Sequence, residues 1–187
     1  ASFDRNQDAI RIKAMHESIA PDVLWLAAEL AVGPAAYIAQ RAVFAPQGGE
    51  PHASVTGALG TWPHGYCPAC GSWPAFGESR DGVEQLRCSF CGLGWRRDTP
   101  ACTYCDADQL TAVKTDPSVS QRAELCGNCG AYLKWLTPTA ATPFELLPIE
   151  DLASMALDVL AAEQGFGRPS LPDLGGPERL PCEGLET

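Results

Sequence analysis

Eight of the nine cysteines fall into four C-x2-C pairs: Cys67 and Cys70, Cys88 and Cys91, Cys102 and Cys105, Cys126 and Cys129. A C-x2-C turn places two sulfurs on one side of a tight loop, and a second turn facing it completes four thiolates around one tetrahedral ion. Seventeen residues separate the first two pairs and twenty the last two, both within the range of four-thiolate sites. Consecutive pairs are therefore expected to share an ion, although interleaving first with third and second with fourth is geometrically open. Glycine follows three of the pairs, at Gly71, Gly92 and Gly130. A metal knuckle there benefits from positive φ and from amides aimed at sulfur. Asp106 holds the corresponding place after the third pair, and Asp tolerates the left-handed region better than most side chains.

Disulfides suit this pattern poorly, because no export signal is evident and C-x2-C neighbours bridge only locally. A thioredoxin-like dithiol would need one reactive pair at a helix start, not a matched set in turns. Four sulfurs leave no open coordination position, which disfavours hydrolytic metal catalysis and points to a clamp for a small fold. Ligand type suits zinc and iron alike, and iron would make the sites redox-active. Cys182 stands alone near the end and reads as an incidental thiol. His16, His52 and His64 have no ligand-like spacing with one another, and His64 reads as a solvated loop residue.

Other chemistries find little support. The chain of 187 residues carries 13 basic and 23 acidic residues, a formal charge of -10, which argues against nucleic acid and anionic lipid as partners. The aromatic residues near the knuckles, Tyr66, Trp73, Phe76, Phe90, Trp95, Tyr104, Tyr132 and Trp135, could stack on bases, but packing around the metals explains them better. No G-x-S-x-G, P-loop or dinucleotide fingerprint occurs. Asp151 and Asp158 are two helical turns apart and could be paired carboxylates; a helix cap for Asp151 and a solvated face for Asp158 are the plainer readings.

The elements that must position these sulfurs read as α+β. Ile10, Ile12, Met15 and Ile19 form a helical stripe broken by Pro21, and a second helix resumes with Asp22 as N-cap, to be stopped or kinked at Gly33-Pro34. That apolar stretch, Val23 to Val43, contains Glu29, Gly33, Pro34, Gln40 and Arg41, so no membrane span is expected. Residues 46–65 are crowded with Gly and Pro and read as a linker. Between the knuckles, "GVEQLRCSF" and "AYLKWL" are the strand candidates. "TPTAATPFELLPIE" reads as an extended connector, followed by a helix with Leu152, Met155, Ala156, Val159 and Leu160 on its packed face and Gly165 at its close. Beyond Pro169 the Pro- and Gly-rich tail reads as irregular. The expected organisation is a helical region and linker over 1–62, metal modules over 63–100 and 101–140, and a connector, helix and tail over 141–187.

The ordered set "CPACGSWP" at 67, "LRCSFCGLGW" at 86, "CTYCD" at 102, "ELCGNCGAYLK" at 124 and "EDLASMALDVLAAEQGFGR" at 150 resembles the formate dehydrogenase accessory protein family, FdhE. The resemblance implies two rubredoxin-like modules carried by the eight cysteines, with iron or zinc bound, between helical flanks. It also implies a cytoplasmic accessory protein that is not itself an enzyme, and that binds the formate dehydrogenase catalytic subunit during maturation. An iron form would have a secondary redox role. "YLK" and "EDLA" are the candidate partner-facing segments, and a homo-oligomer stays open. Family members are longer before the first knuckle, so the N-terminal helical region reads as shortened or truncated. Asp106 and the short "GLGWRRDTPAC" connector depart from the family in detail. The alternatives are a zinc-ribbon module for nucleic acid or a transcription partner, which the acidic charge disfavours, and a rubredoxin-like electron carrier.

Overall fold

The computed structural model describes residues 7–46, 49–97 and 99–169; Cys182 and the tail after Pro169 lie outside them. Six strands form one sheet: β1 (Pro74–Arg80), β2 (Val83–Cys88), β3 (Gly94–Trp95), β4 (Leu110–Val113), β5 (Arg122–Cys126) and β6 (Tyr132–Leu136), in the order β3-β2-β1-β6-β5-β4. Each half is an antiparallel ribbon, β1 to β3 and β4 to β6, and the halves meet through a parallel pairing of β1 with β6. The two expected strands are β2 and β6. Neither Pro74 nor the Gly77-Glu78 pair advertises β1, yet it becomes a central strand because neighbours on both sides satisfy its amides. Gly77 is required there: a Cβ would lie 2.2 Å from the indole of Trp135, its register partner on β6.

Helices cover this sheet differently from the sequence expectation. Helix α1 (Gln7–His16) and helix α2 (Pro21–Phe44) are both present, but α2 begins with Ala20 as N-cap and Pro21 in its first turn, so Asp22 lies inside it. It also runs through Gly33 and Pro34 without ending. Gly33 brings the helix close to the Phe90 carbonyl, 3.3 Å from where a Cβ would stand, and Tyr37 stacks on Phe144 at 4.4 Å, so tertiary contacts outweigh the cost of Pro34. The predicted stripe is not the buried one: Ile10 and Ala14, one turn apart, are buried, while Ile12, Met15 and Ile19 are exposed. By length and composition the Val23–Phe44 stretch is the one helix among the described residues that could cross a membrane. The expected linker contains helix α3 (Ala53–Gly60), capped by the His52 ring, which accepts from the Ser54 amide at 3.3 Å; Leu59 and Trp62 then pack on the core around the first knuckles.

The single C-terminal helix of the sequence reading is two. After a 3-10 turn (Phe144–Leu146) come α4 (Leu147–Ala153) and α5 (Met155–Glu163), jointed at Ser154, whose hydroxyl donates to the carbonyls of Glu150 and Asp151 at 2.9 and 3.0 Å. This joint rotates the packing face. Leu147, Leu157 and Ala161 are buried against Phe76, Leu125 and Leu136, whereas Leu152, Met155 and Val159 point outward. Gly165 does close α5: at φ 85° its amide bonds the Ala162 carbonyl and the Phe166 amide bonds that of Ala161.

Asp151 and Asp158 are neither a cap nor a solvated face. The Lys134 ammonium, fully buried on β6, lies 2.8 Å from Asp151 Oδ1 and 2.7 Å from Asp158 Oδ2, and Arg168 pairs with both carboxylates from the other side. Tyr132 adds a hydroxyl to Asp158 at 2.7 Å. Burial pushes the Asp158 carboxyl up, but hydrogen bonds from Lys134 and Tyr132 and the charge of Arg168 hold it below its ordinary 3.8. A carboxyl lowered on folding stabilises the protein above its unfolded value, and that stability is lost as pH falls through the folded value. In urea titrations, Asp158→Asn is therefore expected to be less stable than the parent near neutrality. The difference should shrink below about pH 4; a gap constant with pH would contradict the pairing.

A second buried pair anchors the connector. Glu78 Oε1 accepts from Arg87 at 2.8 Å and from the Thr142 amide at 3.0 Å, and Arg87 also donates to the Thr142 carbonyl at 2.7 Å.

Candidate metal centres

All four knuckles share one backbone device. The amide of each leading cysteine bonds the carbonyl five residues on: Cys67 to Ser72, Cys88 to Leu93, Cys102 to Ala107 and Cys126 to Ala131, at 2.7–2.9 Å. Closing so tight a loop needs a left-handed residue, and Gly71, Gly92, Asp106 and Gly130 supply it at φ 73, 72, 60 and 68°. Asp106 thus takes the glycine role, and its carboxylate is held by Arg97. Arg97 also donates to the carbonyls of Pro63 and Cys102, at 3.2 and 3.1 Å, tying the entry to the first ribbon to the third knuckle. Nothing in the run "GWRRD" singled it out.

The pairing left open by the sequence is consecutive. Cys67, Cys70, Cys88 and Cys91 form one cluster and Cys102, Cys105, Cys126 and Cys129 the other, with the sulfurs of each cluster within 4.8 Å of one another. Sγ separations are 3.6 Å for Cys67 to Cys91, 3.4 Å for Cys70 to Cys88, 3.8 Å for Cys102 to Cys129 and 3.6 Å for Cys105 to Cys126. Disulfides require roughly 2 Å, so all eight are free thiols. A tetrahedron with metal–sulfur bonds of about 2.3 Å has edges near 3.8 Å, so four-sulfur coordination of one ion fits each cluster. Amides already point at the sulfurs, from Phe90 and Cys91 to Cys88 at 3.3 and 3.4 Å and from Tyr104 to Cys102 at 3.4 Å.

Electrostatics agree with the donor set. Burial pushes the Cys67 and Cys88 thiols well up, while hydrogen bonds from the neighbouring thiols drive Cys70 far down. In the second cluster burial raises Cys102 and Cys129. The same effect on Cys105 is outweighed by the Ala107 amide, Asn128 and the adjoining thiols, leaving it at about 7. Binding of a soft cation displaces the protons that burial holds on such thiols.

The histidines take no part. His64 is exposed and stacks on Tyr66 at 4.8 Å, not on a sulfur. Phe76, Phe90, Trp95, Tyr132 and Trp135 are buried in the two cores, whereas Tyr66, Trp73 and Tyr104 make an edge-to-face chain between the ribbons. Aromatic packing is what the structure shows for them.

Residues 86–174, which include six of the eight clustered cysteines, match the family model "FdhE, C-terminal domain". Over these residues the chain is similar to the C-terminal domain of FdhE. FdhE homologues from Pectobacterium carotovorum and Haemophilus influenzae are 36% and 35% identical over 112 and 113 residues, each covering 57% of this chain. FdhE of Salmonella paratyphi A is 31% identical over 125 residues and 64% of this chain. The chain spans only 36–39% of the length of these FdhE relatives. The crystal structure of the FdhE protein from Pseudomonas aeruginosa is similar at 34% identity and a TM-score of 0.49, over 62% of this chain and 42% of that one.

Proposed function

We propose that this chain belongs to an accessory protein of formate dehydrogenase maturation, holding two metal ions on its eight clustered cysteines and docking on the catalytic subunit. The carrying observation is the pair of four-sulfur clusters at tetrahedral spacing. Four sulfurs per ion leave no position for substrate, which favours a clamped platform over an enzyme. Iron and zinc both suit the site; a redox role belongs to the iron form alone. That role falls if oxidised and reduced forms support maturation equally.

A surface for the catalytic subunit is offered by α4 and α5. Leu146, Ile149, Leu152, Met155 and Val159 form an exposed apolar row. Glu145, Glu150 and Glu163 lie beside it, and no basic residue occurs between Lys134 and Arg168. Such a row fits a patch in which Lys or Arg surrounds apolar anchors, and a second copy would set acid against acid.

Anaerobically purified protein is expected to contain two ions per chain by elemental analysis and to capture the catalytic subunit in a pull-down. Leu152→Glu should weaken capture at least about tenfold with the ion content unchanged. Capture unaffected by this change removes the docking surface, concentration-dependent self-association through it assigns the row to a second copy instead, and an ion-free protein removes the metal reading.

A further inference from the structure

The two clusters have the same donors and opposite surroundings. In the first, Cys67, Cys88 and Cys91 are at most 1% exposed and sit in a core with Phe90, Leu93, Trp95 and Leu133. Its half-buried member, Cys70, lines with Cys91 a cleft walled by α2 residues Ala36, Gln40 and Phe44. Phe144 presses on Gly92 from the other side, 2.6 Å from where a Cβ would stand. In the second, Cys102 and Cys126 are sealed from below, but Cys105 is half-exposed and Cys129 exposed, as is the whole run Gly127–Gly130. None of its sulfurs belongs to either hydrophobic core.

We infer that the clusters divide their work: the first is a closed structural centre, and the second is an exchange site that takes up and gives up its ion to thiol-bearing ligands at the Cys105–Cys129 edge. The inference rests on the metal reading above. Ligand exchange at a full tetrahedron proceeds as an incoming thiolate bonds the ion while one cysteine sulfur leaves and takes a proton from water. The metal keeps its oxidation state and coordination number. Such an attack needs an uncovered edge. Three of the first centre's sulfurs are buried and its half-buried Cys70 lies in the cleft beside α2; the second presents the exposed Cys129, the half-buried Cys105 and the Asn128 side chain, which donates to Cys105 at 3.5 Å.

The test uses the full chain loaded with two zinc or cobalt ions, the stoichiometry being read by elemental analysis before challenge with excess dithiol chelator. Two release phases of one ion each are expected, at least about tenfold apart. Alkylation followed by mass spectrometry between the phases should label Cys102, Cys105, Cys126 and Cys129 and spare Cys67, Cys70, Cys88 and Cys91, a readout that needs no variant. Cys129→Ser should abolish the fast phase and keep the slow one, while Phe44→Ala should speed the slow phase alone. Release of both ions in one phase, or early labelling of the first four cysteines, overturns the division and leaves the metal reading standing. Failure to load two ions overturns both.

Discussion

Stripping both ions from the protein with a strong chelator is expected to unfold residues 63–140 outright, not merely to loosen the knuckles. Apparent binding energies for structural four-ligand zinc sites are about 10–16 kcal/mol, against a total stability of roughly 5–15 kcal/mol for an ordinary domain. Little else would replace them. β3 has two residues and β4 four, and the first cluster's sulfurs are themselves core residues. Without cations, the packed sulfurs of each site lose their bonding partner, and those of the first site are left almost wholly buried. The measurement is near-ultraviolet circular dichroism, where Trp95 and Trp135 report on the core, together with amide dispersion in a heteronuclear spectrum. Both signals should collapse on stripping and return on adding zinc or iron(II) anaerobically. A demonstrably metal-free sample with native dispersion would refute the metal reading and, with it, the exchange site.

Replacing Lys134 should give the largest effect of a single residue outside the knuckles. Lys134→Ala is expected to destabilise the metal-loaded protein by about 3–5 kcal/mol, because breaking a buried pair leaves its partners uncompensated. Here there are two such partners, Asp151 on α4 and Asp158 on α5, and the ammonium also donates to the Asp151 carbonyl at 2.7 Å. Arg168 keeps part of the charge balance, which places the expectation at the lower end of that range. Urea unfolding at neutral pH measures it. Adding Asp158→Asn to Lys134→Ala should return part of the loss, since it removes one stranded carboxylate; a strictly additive double variant would mean the two groups do not interact. The ion content should be unchanged, because the network lies under the helices and not among the sulfurs.

Much of the site could be read directly from residue spacing because a knuckle is a local object. Five or six consecutive residues close the turn, and the left-handed residue after each pair announces it even where Asp106 replaces glycine. The face of a helix is not local in this sense. Leu152, Met155 and Val159 have the spacing of a packed stripe, and only the joint at Ser154 turns Leu157 and Ala161 inward instead. The α2 helix likewise passes through Gly33-Pro34 because Phe90 and Phe144, more than fifty residues away in the chain, pack against it. The segment "YLK" read as partner-facing, yet Tyr132, Leu133 and Lys134 are buried; a charged residue such as Lys134 or Arg168 reads as solvated until its counter-charges are known.

The amino-acid order alone therefore determined that eight sulfurs come in four turns, that each turn can present two of them to an ion, and that the ordered set of knuckles and following helix resembles FdhE. Tertiary structure decided which turns face one another, that the two ribbons fuse through β1 and β6 into one sheet, and that one cluster is roofed while the other meets solvent. The physical reason is range: turn geometry is set by torsions within a few residues, whereas burial and pairing depend on which distant segments arrive to exclude water.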